Sequence, residues 1–158
     1  VSYVWLKSIF PVECFNQLSE ISNSYLIDVR TKPEWEFIGI PDLSSLNKKT
    51  IFISWNVYPE MKINSSFENQ IVNSKIKKNY ELYLICRSGS RSFYAANFLT
   101  SSGYSNCYNV SDGFEGDKNN INQRSTINGW KYNNLPWKQW WSLKKLKIPI
   151  NTEIKQTL

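Results

Sequence analysis

Four short apolar or β-branched runs constrain this chain more than any other feature: residues 25–29 (YLIDV), 50–55 (TIFISW), 81–86 (ELYLIC) and 107–110 (CYNV). A strand with one face in water alternates apolar and polar residues. Runs without that alternation must be covered on both sides, as in a parallel sheet with helices above and below. The intervening segments supply the helices. Residues 11–22 set Val12, Phe15, Leu18 and Ile21 at helical spacing, and Ser65 with Glu68 has the pattern of a capping box ahead of Ile71, Val72 and Ile76. Residues 91–102 carry Ala95, Phe98 and Leu99 and stop near Gly103. Strands alternating with helices predict a three-layer α/β domain around a mostly parallel sheet, with one further short strand near Tyr3 to Leu6.

With 158 residues, 41% hydrophobic and 20% charged, the chain can bury one core and has the balance of a folded protein. The absence of histidine removes Ser-His-Asp triads, Cys-His nucleophiles and histidine metal sites together. Cys14, Cys86 and Cys107 are widely spaced, so neither a zinc site nor a disulfide framework is expected, and no metal or cofactor is called for. No apolar run approaches the roughly 20 residues of a membrane span, and the N-terminus lacks a secretory pattern, so a reducing cytoplasm is the expected location. The charge of +6 is modest and Asn, Ile and Lys are abundant throughout, which argues against nucleic acid as a partner.

Residues 113–134 are rich in Gly, Asn and Asp and predict loop. The domain is expected to occupy residues 1–137. Residues 138–158 then form a basic extension in which Lys138, Lys144, Lys145, Lys147 and Lys155 face one acid, Glu153. Trp137, Trp140 and Trp141 would cover the domain, with a partner-binding or membrane-surface tail as the alternative.

The chemistry concentrates in residues 82–92, LYLICRSGSRS, where an apolar strand ends in a cysteine and passes through a small-residue loop into a helix. Gly89 and Ser88, Ser90 and Ser92 let the backbone curl so that successive N–H groups point inward, and the helix adds its positive end. Such an anion cradle, flanked by Arg87 and Arg91, suits the nucleophilic, ionised form of the Cys86 sulfur without a histidine. Cys14 and Cys107 sit among apolar neighbours and read as small buried hydrophobes.

These features resemble the rhodanese-homology domain. The resemblance rests on Asp28-Val29-Arg30, Glu34-Trp35, the loop from Cys86 to Ser92, Ala95-Ala96, Gly103-Tyr104, Tyr108-Asn109-Val110, Gly113-Phe114-Glu115-Gly116, Gly129-Trp130 and Leu135-Pro136-Trp137, in the family's order. Residues 41–46 and 113–117 resemble an alphaproteobacterial subgroup. The resemblance implies a rhodanese-like sulfurtransferase without a cofactor. Cys86 would take sulfur from a small anionic donor such as thiosulfate or a persulfide, hold it as a persulfide, and pass it to cyanide, a thiol or a protein acceptor. The loop residues Arg87, Ser88, Gly89, Ser90, Arg91 and Ser92 would bind the anion, with Arg91 also a candidate partner for an acid that holds the loop. Asp28 and Arg30 would brace the site as an ion pair. Glu34, Trp35 and Glu36 would begin a helix or rim the entrance. Gly39-Ile40-Pro41 departs from the family's Gly-His-Ile segment and affects the rim.

Two neighbouring readings compete. Cysteine-dependent phosphatases place their arginine six residues after the cysteine, where this chain has Ser92; Arg91 closes a shorter loop. A persulfide relay protein, or a non-catalytic binding or regulatory module on the same fold, is the alternative to a thiosulfate-using enzyme, and retention of Cys86 argues against the non-catalytic module.

Overall fold

The computed structural model describes residues 6–141. In chain order its elements are β1 (Lys7–Ile9), α1 (Pro11–Glu20), β2 (Ser24–Asp28), α2 (Lys32–Ile38), β3 (Ile40–Pro41), a 3-10 turn at Ser44–Leu46, β4 (Ile51–Phe52), β5 (Asn56–Val57), β6 (Lys62–Ile63), α3 (Phe67–Asn73), β7 (Glu81–Ile85), α4 (Ser90–Ser101), β8 (Asn106–Val110) and β9 (Trp137–Lys138). Five strands form one sheet in the order β1-β8-β7-β2-β4, and every pairing in it is parallel. β7 lies at its centre.

The unalternating runs are explained by two separate cores. Ile27, Leu82, Leu84 and Cys86 face one side with Phe67, Ile71, Ala95, Ala96 and Leu99. Leu26, Tyr83 and Ile85 face the other with Cys14, Leu18, Val110, Phe114 and Trp130. Successive residues of one strand therefore enter opposite cores, and the domain has three layers.

Several local expectations shift. The strand expected at residues 50–55 is ladder-paired only at β4, although the Ile53 and Trp55 amides still donate to the Asp28 and Val29 carbonyls as the chain splays away. α1 buries Pro11, Cys14 and Leu18, while Val12 is exposed. Its inward face is therefore set by Pro11 and Cys14, one turn apart, and not by Val12. α3 begins at Phe67 after Ser66 with no side-chain cap, and Val72 points to solvent. Its entry is made instead by Asn64, whose Oδ1 accepts from the Ser66 amide. The capping box lies on α2, where Thr31 and Glu34 bond reciprocally. A short strand, β1, is found at Lys7–Ile9, beyond the Tyr3 to Leu6 stretch expected for it; Leu6 is outside any strand, and Tyr3 to Trp5 lie outside the described residues.

Residues 113–134 are loop, yet Phe114 and Trp130 within them are fully buried. Trp130 meets Phe15 edge-on at 6.0 Å and donates its indole N–H to the Pro136 carbonyl at 2.8 Å. That contact returns the chain to the domain: β9 pairs antiparallel with β3, and Trp140 stacks on Trp35 at 5.8 Å. Residues 142–158, with Lys144, Lys145, Lys147, Glu153 and Lys155, lie outside the described residues. Among the described residues no helix is long and apolar enough to cross a membrane.

Because Trp130 joins α1, the loop and the returning chain, its replacement should leave a large cavity and a lost bond. Trp130→Ala is expected to lower stability by about 3–5 kcal/mol in urea or guanidinium unfolding; a change under about 1 kcal/mol would show that the loop packs independently.

Candidate active site

Cys86 follows the last residue of β7, the central strand, at the carboxyl edge where α/β sheets place their ligands. Its side chain is buried, yet it lines a cavity of about 390 Å³ with Glu34, Asn56, Met61, Arg87, Ser88, Ser90 and Arg91. A larger cavity of about 500 Å³ lies between Leu43, Phe52 and Lys138 and includes no cysteine.

The backbone reverses tightly at the cradle. Gly89 adopts φ +108° as the N-cap of α4, a conformation that side chains disfavour, and its amide donates to Cys86 Sγ at 3.2 Å. Ser92, in the first turn of α4, places its hydroxyl oxygen 3.2 Å from Sγ and 2.6 Å from Asn109 Oδ1. The Asn109 amide nitrogen in turn donates to the Gly89 carbonyl at 3.1 Å.

Two supports hold the cradle from outside. Arg91 donates to both carboxylate oxygens of Glu34, at 2.6 and 2.9 Å, so the loop is pinned to α2. Burial alone would raise the Glu34 carboxyl, but the paired guanidinium and the bonds from Thr31 outweigh it and hold it at about 2. On the other side, Phe114 donates its amide to the Cys86 carbonyl at 2.8 Å, and the Glu115 and Gly116 amides donate to Arg87. The approach is so close that a Cβ on Gly113 would sit 2.5 Å from the Cys86 carbonyl oxygen, so only glycine fits there.

Behind these supports, Asp28 and Arg30 are both fully buried and joined by a bidentate ion pair whose shortest bond is 2.7 Å. A solvated Arg30 is excluded. Arg30 also donates to the Gly39 carbonyl at 2.8 Å and stacks its guanidinium over the Phe114 ring at 4.2 Å. Gly39, displaced from the Gly-His-Ile pattern, therefore caps α2 against Arg30, and the Trp137 ring takes the space a side chain would need.

Cys14 and Cys107 are buried away from this cavity's lining. Burial pushes both thiols up, Cys107 to about 11, so at neutral pH they stay protonated. Among the expected site residues, Ser92, Gly89 and Cys86 converge, Arg91 turns to Glu34, and Arg87 is exposed at the mouth. Three contributors were not foreseen. Asn109 is a polar residue in an inward-facing apolar strand, which is itself a signal. Asn56 and Met61 belong to the small hairpin of β5 and β6, which sequence pattern alone gives no reason to bring to the cavity.

A parallel five-stranded sheet covered on both faces, with a cysteine cradle at the edge of its central strand, is the architecture of a rhodanese-like domain. The family model described as the STR4 middle domain matches residues 8–142, and the chain belongs to that family. It is 44% identical over 135 residues to protein RC0915 of Rickettsia conorii, covering 84% of this chain and 97% of that one. The crystal structure of Rv0390 from M. tuberculosis superposes with a TM-score of 0.78 at 36% identity, covering 87% of this chain and 99% of that one. The chain is also 24% identical over 123 residues to the chloroplastic rhodanese-like domain-containing protein 4 of Arabidopsis thaliana, covering 78% of this chain and 24% of that protein.

The Glu34–Arg91 pair carries a pH signature. A carboxyl held near 2, against 4.5 unperturbed, adds stability that is complete above about pH 5 and is lost as pH falls toward 2. Glu34→Gln should therefore be less stable than wild type at pH 7 and should flatten the acid limb of stability against pH; parallel acid limbs for the two proteins would contradict the pairing.

Proposed function

We propose that this protein is a sulfurtransferase that carries sulfane sulfur on Cys86. The observation that carries the reading is the Gly89 amide aimed at Cys86 Sγ from the start of a 12-residue helix. A preorganised N–H beside a helix N-terminus stabilises an anion on sulfur.

In the first half-reaction the Cys86 thiolate attacks the outer sulfur of thiosulfate. An S–S bond forms to Cys86, the bond to the sulfonate sulfur breaks, and sulfite leaves with its electron pair. The protein is left as a persulfide anion beside the Gly89 amide and the start of α4. In the second half-reaction an acceptor thiolate, or cyanide, attacks the terminal sulfur and the Cys86 thiolate departs. No net oxidant is required, because the transferred sulfur stays at the sulfane level throughout. Free thiolates must persist for this cycle, which suits a reducing compartment such as the cytoplasm.

Arg87, exposed at the mouth, supplies the attraction for an anionic donor. Arg91 is occupied by Glu34 and acts as the loop's anchor; this weighs against phosphatase chemistry, in which the arginine must be free to bind the phosphate. A protein thiol as acceptor is the second reading. It draws on the hairpin at the cavity mouth, where Val57, Tyr58, Met61 and Ile63 are all exposed apolar side chains.

With thiosulfate and cyanide, a covalent carrier gives parallel double-reciprocal lines. Cys86→Ser is expected to lose turnover by about three orders of magnitude or more. Intersecting lines, or substantial turnover in the serine variant, would overturn the reading.

A further inference from the structure

The hydrogen bonds around Cys86 fix more than its position, because each group has a limited set of protons. The Gly89 carbonyl can only accept, so the amide nitrogen of Asn109 must face it, at 3.1 Å. That leaves Asn109 Oδ1, which also can only accept, facing Ser92 Oγ at 2.6 Å. The single Ser92 proton therefore lies on the line to Asn109, and the oxygen presents lone pairs to Cys86 Sγ at 3.2 Å. This arrangement suits a sulfur that carries its own proton and donates it to Ser92. An ionised sulfur needs the reverse: the Ser92 hydroxyl must leave Asn109 and turn toward Sγ.

Resting on the reading of Cys86 as the nucleophile, we infer that Asn109 is a positioning residue that acts through Ser92. It holds the hydroxyl proton away from the resting thiol, and when that thiol gives its own proton to solvent through the cavity the hydroxyl turns to donate a hydrogen bond to the sulfur. The same amide grips the Gly89 peptide, so the backbone donor stays in place while the hydroxyl turns. Asn109 and Ser92 are both buried, which limits competition from bulk water for either group. The Ser92 hydroxyl is thereby a bond that the sulfur gains only by drawing it from Asn109, and no histidine takes part.

The charged groups that line the cavity with Cys86 are Arg87 in the loop and Arg91 on α4 with Glu34 from α2; Asp28, paired with Arg30 at the end of β2, acts on Arg91 from behind, and the Glu115 amide bonds the Arg87 carbonyl. None of these changes in the variants proposed, so a difference between variants reports the hydroxyl.

The test is the pH dependence of Cys86 carbamidomethylation by iodoacetamide, followed by peptide mass spectrometry, on the full chain. In Asn109→Leu the hydroxyl has only sulfur to bond, and the reactivity midpoint should move to lower pH by about half a unit or more, the size of one net hydrogen bond. In Ser92→Ala it should move to higher pH, and the double variant should match Ser92→Ala. A merely loosened loop would instead lose the Gly89 donor and move Asn109→Leu to higher pH. That result, an unchanged midpoint, or a shift that survives in the Ser92→Ala background would overturn the inference. If Asn109→Leu does not fold, Asn109→Ala takes its place, read against Ser92→Ala with the same expected and overturning shifts. Alkylation needs no sulfur donor, so a wild type that fails to turn over thiosulfate would count against the sulfur-transfer reading only.

Discussion

The fully buried Arg30 guanidinium is the constraint on which the cradle depends. A charge taken out of water persists only if it is paired and bonded, and Arg30 is matched by Asp28 two residues earlier on the same strand end. Its remaining contacts reach the two bodies that hold the loop. Through Gly39 it fixes the end of α2, whose Glu34 pins Arg91. Through Phe114 it fixes the segment whose amide bonds the Cys86 carbonyl. The cysteine loop is thus clamped on both flanks by elements that share one buried cation, which explains how a short loop of serines, glycine and arginines can be held in a fixed shape.

That clamp divides the labour among the arginines. Arg30 is structural, Arg91 is spent on Glu34, and Arg87 is exposed at the mouth. With Arg91 already bonded, the groups that meet Cys86 Sγ are the Gly89 amide and the Ser92 hydroxyl, a set suited to the charge of a single sulfur. Membership of a rhodanese-like family and the amide and hydroxyl that meet Cys86 Sγ are the two supports of the sulfur-transfer proposal.

Much of this was legible in the sequence, and the parts that were not have physical causes. The strands were readable because burial on both faces removes alternation, and the cradle because strand, small residues and helix follow one another without interruption. The Asp28–Arg30 pair is local, two residues apart, and could be anticipated once the resemblance was recognised. The Glu34–Arg91 pair spans 57 residues, and sequence pattern could say only that Arg91 wanted an acid. On α1 the burial of Leu18 and of Cys14, and the packing of Phe15, follow the sequence pattern, while Val12 departs from it because Pro11 takes the inward place in the first turn. The hairpin that brings Met61 to the cavity depends on how the chain splays from β4, which no periodicity records.

The central claim is that Cys86 carries sulfur covalently, and intact-protein mass spectrometry after incubation with thiosulfate tests it most directly. The account predicts a gain of about 32 Da, one sulfur atom, in the wild type, none in Cys86→Ser, and loss of the added mass on exposure to cyanide. A wild type that gains no mass, or a serine variant that gains the same mass through Cys14 or Cys107, would contradict it.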